Sequence, residues 1–138
     1  MKPRLLMRIA ALFVLIHLIG HSFGHFSWKE TTNPAKQEVI KQMTGPRFEF
    51  MGAMRSMGDY YEGYSLILFV VYAMSIALIL SAAGYADSNH DIARKVLTPI
   101  GIGYVAFGII EFLHFFPFAA SMSLGAGALI ILAIFLNG

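Results

Sequence analysis

Residues 5–25, LLMRIAALFVLIHLIGHSFGH, decide the fold class because they form a stretch long and apolar enough to cross a lipid bilayer. A membrane-spanning helix needs about 20 predominantly apolar residues. The same stretch carries His17, His21 and His25, which recur at every fourth position and therefore share one helix face. Because imidazoles inside a bilayer are costly without partners, this face is the first candidate for a functional site.

The composition of the whole chain supports a membrane protein. Of its 138 residues, 57% are hydrophobic and 13% are charged, and the mean hydropathy is +0.67. A small soluble domain is far less apolar, so we expect a single integral membrane domain over residues 1–138. There are no cysteines, which leaves His, Asp and Glu as the strong metal ligands. The net charge of +2 is scattered, and no basic stripe predicts binding to nucleic acid.

Further apolar stretches predict an all-α fold, a bundle of four transmembrane helices. The four predicted spans are about Leu5–His25, Tyr60–Ala83, Val96–Phe116 and Phe118–Leu136. A long loop joins the first two spans, and an Asn-Pro turn in it predicts a short interfacial helix over Pro34–Met43. The sequence RFEFMGAMRSMG at residues 47–58 is typical of an interfacial segment that leads into the second span.

Four alternating spans bring three polar clusters to the same side of the membrane. The end of the first span, the start of the second and the end of the third fall at one face, whichever side is outside. These clusters contain seven candidate metal ligands: His17, His21, His25, Asp59, Glu62, Glu111 and His114. Seven exceed the four positions of one zinc ion, so we expect either supporting partners among them or more than one metal.

Metal-activated water is the chemistry that this set of side chains predicts. Imidazoles favour zinc, which lowers the pKa of bound water to about 7, whereas the carboxylates favour iron as the alternative metal. Glu62 or Glu111 would be the catalytic carboxylate that takes the proton as general base. A site at leaflet depth would admit amphiphilic molecules laterally, so we expect a hydrolase of a lipid-like ester or amide.

The same residues are compatible with other functions. A Glu-x-x-His pair formed by Glu111 and His114 also occurs in di-iron carboxylate sites, which predicts an oxidase-like enzyme. A haem-binding electron carrier would pair His17 or His21 with His114. A non-enzymatic protein that handles metal ions or protons would use the buried carboxylates as relays.

Three candidate ligands also have purely structural interpretations. Glu62 could lie at the headgroup boundary, where a carboxylate costs little. His17 lies deepest in its span and could hydrogen-bond a backbone carbonyl or Tyr104. Asp59 could cap the N-terminus of the second span.

Three motifs carry a resemblance to a known family: HLIGHSFGH at residues 17–25, RFEFMGAMRSMGDYYEGYSL at 47–66 and EFLHFFP at 111–117. With them, most of the chain resembles a family of small bacterial four-span membrane proteins. The resemblance implies a trimeric intramembrane metalloenzyme, and hence zinc and a homotrimer. The set of ligands is also similar in kind to the zinc sites of alkaline ceramidases and adiponectin-receptor-like proteins. Those proteins have seven spans, so a hydrolase activity carries over by analogy only.

Location and partners follow from the same features. Basic residues divide equally between the two sides, but Lys2, Arg4 and Arg8 lie directly against the first span and favour a cytoplasmic N-terminus. No small-residue cleavage site follows that span, so we expect a retained helix and not a signal peptide. The expected location is the bacterial inner membrane, with the site toward the periplasm or exterior. The expected partners are membrane lipids and a small amphiphilic substrate.

Overall fold

The computed structural model describes residues 2–86 and 89–136, and over these residues the fold is almost entirely helical. The elements in chain order are α1 (Pro3–Ser27), α2 (Pro34–Thr44), β1 (Phe48–Phe50), β2 (Ala53–Arg55), α3 (Met57–Tyr85), α4 (His90–His114) and α5 (Pro117–Leu136). The helices α1, α3, α4 and α5 are each long and apolar enough to cross a membrane. The predicted all-α fold with four candidate spans, a long loop and a short helix after the first span is therefore confirmed.

The helix boundaries follow from local chemistry. The Asn33 side chain accepts hydrogen bonds from the backbone N–H groups of Ala35 and Lys36 at 2.9 and 3.3 Å, and Pro34 occupies the first helical position of α2. The Asn89 side chain caps α4 in the same way by accepting from the Ile92 N–H at 3.1 Å. These caps supply hydrogen-bond acceptors to N–H groups that have no partner inside the helix.

The segment before α3 forms a β-hairpin that the sequence did not predict. Strands β1 and β2 pair antiparallel with Phe48 opposite Arg55 and Phe50 opposite Ala53. The two-residue turn between them has positive φ at both positions, 51° at Met51 and 83° at Gly52. Positive φ at both positions is the hallmark of a type I′ turn, for which Asn-Gly is the usual sequence signal. Because methionine stands where asparagine is usual, the turn gave no recognisable signal.

Residue contacts divide the chain into two compact units. The first consists of the chain up to Gly20 together with the chain from Val71 onward, and the second is His21–Val70. The first unit therefore contains most of α1, the later part of α3, and all of α4 and α5. Its fully buried core side chains include Leu6, Met7, Ile79, Leu97 and Ile130.

Helices α4 and α5 pack closely in the first unit because glycines face the contact. A Cβ atom built on Gly127 of α5 would lie 2.9 Å from the backbone nitrogen of Val105 and 3.0 Å from the backbone oxygen of Gly101 in α4. A Cβ on Gly108 would lie 2.4 Å from the Leu124 side chain. Small residues allow transmembrane helices to approach to backbone contact in this way. The close contact fixes the positions of the polar residues that α4 and α5 carry.

The outer surfaces of the four long helices are apolar. At most 39% of the apolar window in any of them is buried within the protein. Large side chains such as Leu66, Ile67, Val70, Ile102 and Ile109 are exposed. An apolar exterior on helices of this length is what a surrounding bilayer requires, so the chain is a multi-pass membrane protein.

Candidate functional site

A polar cluster lies buried in the first unit. Each of its four helices contributes one side chain, namely His17 from α1, Tyr72 from α3, Glu111 from α4 and Ser123 from α5. His17 is 5% exposed, Glu111 is 9% exposed, and Ser123 is fully buried. Unpaired polar groups in such a place would cost several kcal/mol each, roughly, so their mutual contacts are part of the fold.

His17 is at the centre of this cluster. Its Nε2 atom lies 3.4 Å from Glu111 Oε1 and 3.2 Å from the Tyr72 hydroxyl, while its Nδ1 atom lies 3.2 Å from Ser123 Oγ. The hydroxyls of Tyr72 and Ser123 also lie beside the Glu111 carboxyl. In a neutral imidazole one nitrogen donates and the other accepts, whereas a hydroxyl does both. The surrounding hydroxyls therefore accommodate the imidazole proton on either nitrogen.

Two buried oxygens beside this cluster lack hydrogen-bond partners within residues 2–86 and 89–136. They are Glu111 Oε2 and the Tyr104 hydroxyl oxygen. The Ser75 side chain lies near Tyr104 without meeting hydrogen-bond geometry. Buried polar atoms without partners are rare in native proteins, so each of these two requires an explanation.

The two buried tyrosines allow a matched test of this hydrogen bonding. Tyr72→Phe removes the hydroxyl that contacts His17, so we expect a loss of about 0.6 kcal/mol and at most about 1.7 kcal/mol in the free energy of unfolding. Tyr104→Phe removes a hydroxyl without a hydrogen bond and should leave stability unchanged or slightly higher. Unfolding of both variants in mixed micelles measures the difference. Equal losses would contradict the assignment of Tyr72 as the bonded partner.

His21 and His25 lie in the second unit and converge on one residue of α3. His21 Nε2 lies 3.0 Å from both the backbone oxygen and the Oγ atom of Ser65, and His25 Nδ1 lies 2.8 Å from the same Oγ. Both rings also meet Phe69 edge-on, with centroid distances of 5.1 and 5.3 Å. The four-residue spacing thus brings two imidazoles to one hydroxyl, as expected for a shared helix face.

Asp59 and Glu62 have structural partners at the start of α3. The Ser56 N–H donates to Asp59 Oδ2 at 2.8 Å, and the Asp59 N–H donates to Ser56 Oγ at 3.1 Å. This reciprocal pair is a capping box, so Asp59 stabilises the N-terminus of α3. This role agrees with the structural interpretation of Asp59 as a helix cap. Glu62 forms an ion pair with Lys29 at 2.6 Å between Oε1 and Nζ.

Glu111 and His114 lie on differently exposed parts of α4. Glu111 is buried in the first unit, whereas His114, the last residue of the helix, is exposed. The predicted Glu-x-x-His pair is therefore divided between a core position and the surface.

The metal site that the seven candidate ligands predicted stays a prediction. Among the residues that the structure describes, no three His, Asp or Glu side chains are placed to hold a metal ion together. His17 and Glu111 supply two donors, whereas a catalytic zinc site in proteins uses three protein ligands. Neither zinc nor iron is supported by this set of donors, and both stay predictions.

Sequence reasoning missed two members of the buried cluster. Tyr72 and Ser123 are isolated polar residues within apolar spans. Such a residue is weak evidence of a functional site, and it becomes informative only when the structure places it beside His17. A backbone carbonyl or Tyr104 was the expected partner of His17, but the Tyr104 hydroxyl has no hydrogen bond in the described structure, and the Tyr72 hydroxyl contacts His17.

Comparison of the chain with protein-family models, curated proteins and solved structures finds no match. The resemblance to a small four-span family therefore depends on its motifs alone. The homotrimer and the zinc that it implies stay predictions.

Proposed function

We propose that this chain is a proton-handling membrane protein in which the pair His17–Glu111 binds and releases a proton within the spanning helices. Proton handling was one of the alternatives that the sequence left open. The observation that supports it is the 3.4 Å approach of a buried imidazole nitrogen to a buried carboxylate oxygen. Ionisable groups buried within transmembrane helices are expensive and typically serve proton or ion movement.

The energetics of burial favour a pair that holds one proton. With one proton the pair is neutral overall, either as imidazole with carboxylic acid or as imidazolium with carboxylate. Loss of that proton leaves a single buried carboxylate, which is costly in an apolar surrounding. Release therefore requires a compensating event, such as hydration of the cluster, arrival of a cation or movement of a helix.

The neighbouring hydroxyls provide a way for the proton to move. Tyr72 and Ser123 contact the two ring nitrogens of His17, so rotation of either hydroxyl accompanies a change of tautomer. Glu111 Oε2 has no protein partner in the described structure, so a proton added there breaks no existing hydrogen bond.

A row of polar side chains continues from the pair along α3 and α4. Tyr104 precedes Glu111 by seven residues, about two helical turns, and both are buried. Ser75 follows Tyr72 by three residues and is also buried. Consecutive spans run in opposite directions. The step from Glu111 back to Tyr104 in α4 and the step from Tyr72 forward to Ser75 in α3 therefore both lead toward the connection between α3 and α4. This row is the proposed route of proton exchange.

The metal-dependent hydrolase remains a prediction from the sequence. Ser123, His17 and Glu111 contact one another in the order of a nucleophile, a base and an orienting carboxylate. However, Ser123 is fully buried, so a substrate carbonyl reaches it only if the helices separate. Ser123 is better explained as a hydrogen-bond partner of His17.

Difference infrared spectroscopy during an acid pulse tests the proposal on the full chain in lipid nanodiscs. We expect that acidification produces, beside the C=O bands of the exposed carboxyl groups, one carboxylic-acid C=O band that is absent from Glu111→Gln. Glu62→Gln is the matched control, because Glu62 is paired with Lys29 in the second unit, and it should retain the band. An unchanged spectrum in Glu111→Gln would overturn the proposal.

A further inference from the structure

The hairpin formed by β1 and β2 exposes an unusual amount of apolar surface. Met51 at its tip is 91% exposed and Phe50 beside it is 59% exposed. Phe48 and Met54 on its strands and Met57 at the start of α3 are also exposed, although the Phe48 ring stacks against Tyr60 at a centroid distance of 6.0 Å. Soluble surfaces rarely present several large apolar side chains together without an interaction partner.

The turn at the tip places a methionine in a backbone conformation that is unfavourable for it. Met51 adopts φ of 51°, a left-handed conformation that is uncommon for residues other than glycine, asparagine and aspartate. Asparagine would fit this position of a type I′ turn better. An apolar side chain held in a disfavoured conformation at a fully exposed tip points to a role that needs the side chain itself.

The chain connectivity places the hairpin at the surface of the bilayer. Strand β2 ends at Arg55, and only Ser56 separates it from α3, a helix long and apolar enough to span. One residue extends the chain by at most about 3.6 Å, so the hairpin lies next to the start of that span. The surface available to its apolar tip is therefore the headgroup layer of the surrounding membrane.

The charges at the base of the hairpin are complementary to anionic lipid. Arg47 immediately precedes β1 and Arg55 closes β2, and both are exposed. Arg47 also approaches Asp59 at 3.6 Å, whereas the Arg55 guanidinium donates to the neighbouring backbone oxygen of Met54 at 2.9 Å and acts on Asp59 at longer range. Glu49 is the one acidic side chain on the strands, and it pairs with Met54 across the hairpin. Arg55 is thus the cation best placed to meet a phosphate group.

We propose that the hairpin is a surface anchor that inserts Phe50 and Met51 among the lipids, while Arg55 binds the phosphate of an anionic phospholipid. Apolar insertion combined with basic contacts is the general mode of interfacial attachment. The anchor is independent of the proton-handling function proposed above.

The absence of cysteine from the sequence allows a direct test with a single introduced label. Met51→Cys carrying an environment-sensitive fluorophore is placed in nanodiscs of anionic phosphatidylglycerol with brominated acyl chains. We expect a blue-shifted emission and loss of most of the fluorescence by bromine quenching. The same label on Thr32→Cys, an exposed position in the loop before α2, should show water-like emission without quenching.

Two further variants separate the apolar and charged contributions. Met51→Asn suits the turn, so it retains the hairpin but should reduce quenching of a label at Met54→Cys. Arg55→Gln should reduce quenching at position 51, as should replacement of phosphatidylglycerol by phosphatidylcholine. Water-like emission at position 51 in anionic bilayers would overturn the proposal. Shielding from water without bromine quenching would also overturn it and would indicate a protein contact instead.

Discussion

Glu111→Ala is expected to lower the free energy of unfolding by about 1–3 kcal/mol, because it leaves the buried polar groups around that carboxyl without a partner. His17 would then lose its carboxylate partner at 3.4 Å while remaining in the core with Tyr72 and Ser123. The substitution also leaves space where the carboxyl stood. Unfolding in mixed micelles, followed by circular dichroism, measures the loss.

Two controls distinguish this effect from a general intolerance of substitution. Glu111→Gln keeps the shape and a hydrogen-bonding amide, so its loss of stability should be much smaller although its titration is abolished. Glu62→Ala removes an ion pair with Lys29 whose two side chains are partly exposed, and such pairs contribute at most about 1 kcal/mol. If Glu111→Ala and Glu62→Ala cost the same, the buried pair has no special role in the fold.

Gly127→Ala is the second substitution with a large expected effect. Its new Cβ would lie 2.8 Å from Val105 Cγ2, 2.9 Å from the Val105 backbone nitrogen and 3.0 Å from the Gly101 backbone oxygen. Backbone atoms cannot rotate away as a side chain does, so α4 and α5 must separate. Overpacking of this kind costs about 1–3 kcal/mol, and the displacement also moves Glu111 relative to Ser123. We therefore expect both a lower midpoint of unfolding and a weaker Glu111 infrared band.

Gly103→Ala is the matched control because it lies in the same helix pair. A Cβ at Gly103 meets no atom within 4 Å. Alanine has the higher helix propensity, so this variant should gain up to about 1 kcal/mol in stability. If Gly127→Ala lowers the free energy of unfolding and Gly103→Ala raises it, close contact, and not helix propensity, governs the α4–α5 packing. A change of the same sign in both variants would contradict the role of close contact.

The sequence was sufficient to predict which segments form helices. Spans of about 20 apolar residues can satisfy their backbone groups in lipid only as helices or closed barrels, so length and hydropathy locate them closely. Asn33 and Pro34 likewise identified the start of α2, which the structure places at Pro34 as predicted. The sequence did not predict the hairpin, because its turn has Met51 at a position where asparagine is usual.

The arrangement of the candidate site depended on contacts that no sequence pattern specifies. The pattern placed His17, His21 and His25 on one face, since each four-residue step rotates by about 40°. It did not reveal that His17 meets Glu111 in one unit, while His21 and His25 meet Ser65 in the other.

The sequence by itself determined a four-span membrane protein with polar side chains at intramembrane positions. Only the tertiary structure decided that Glu111 is buried beside His17 and that His114, three residues later, is exposed. The physical reason is that lipid is as apolar as a protein core, so hydropathy does not set the rotation of a helix about its axis. That rotation is set by close packing, here through Gly101, Gly108 and Gly127, and it determines which polar groups meet.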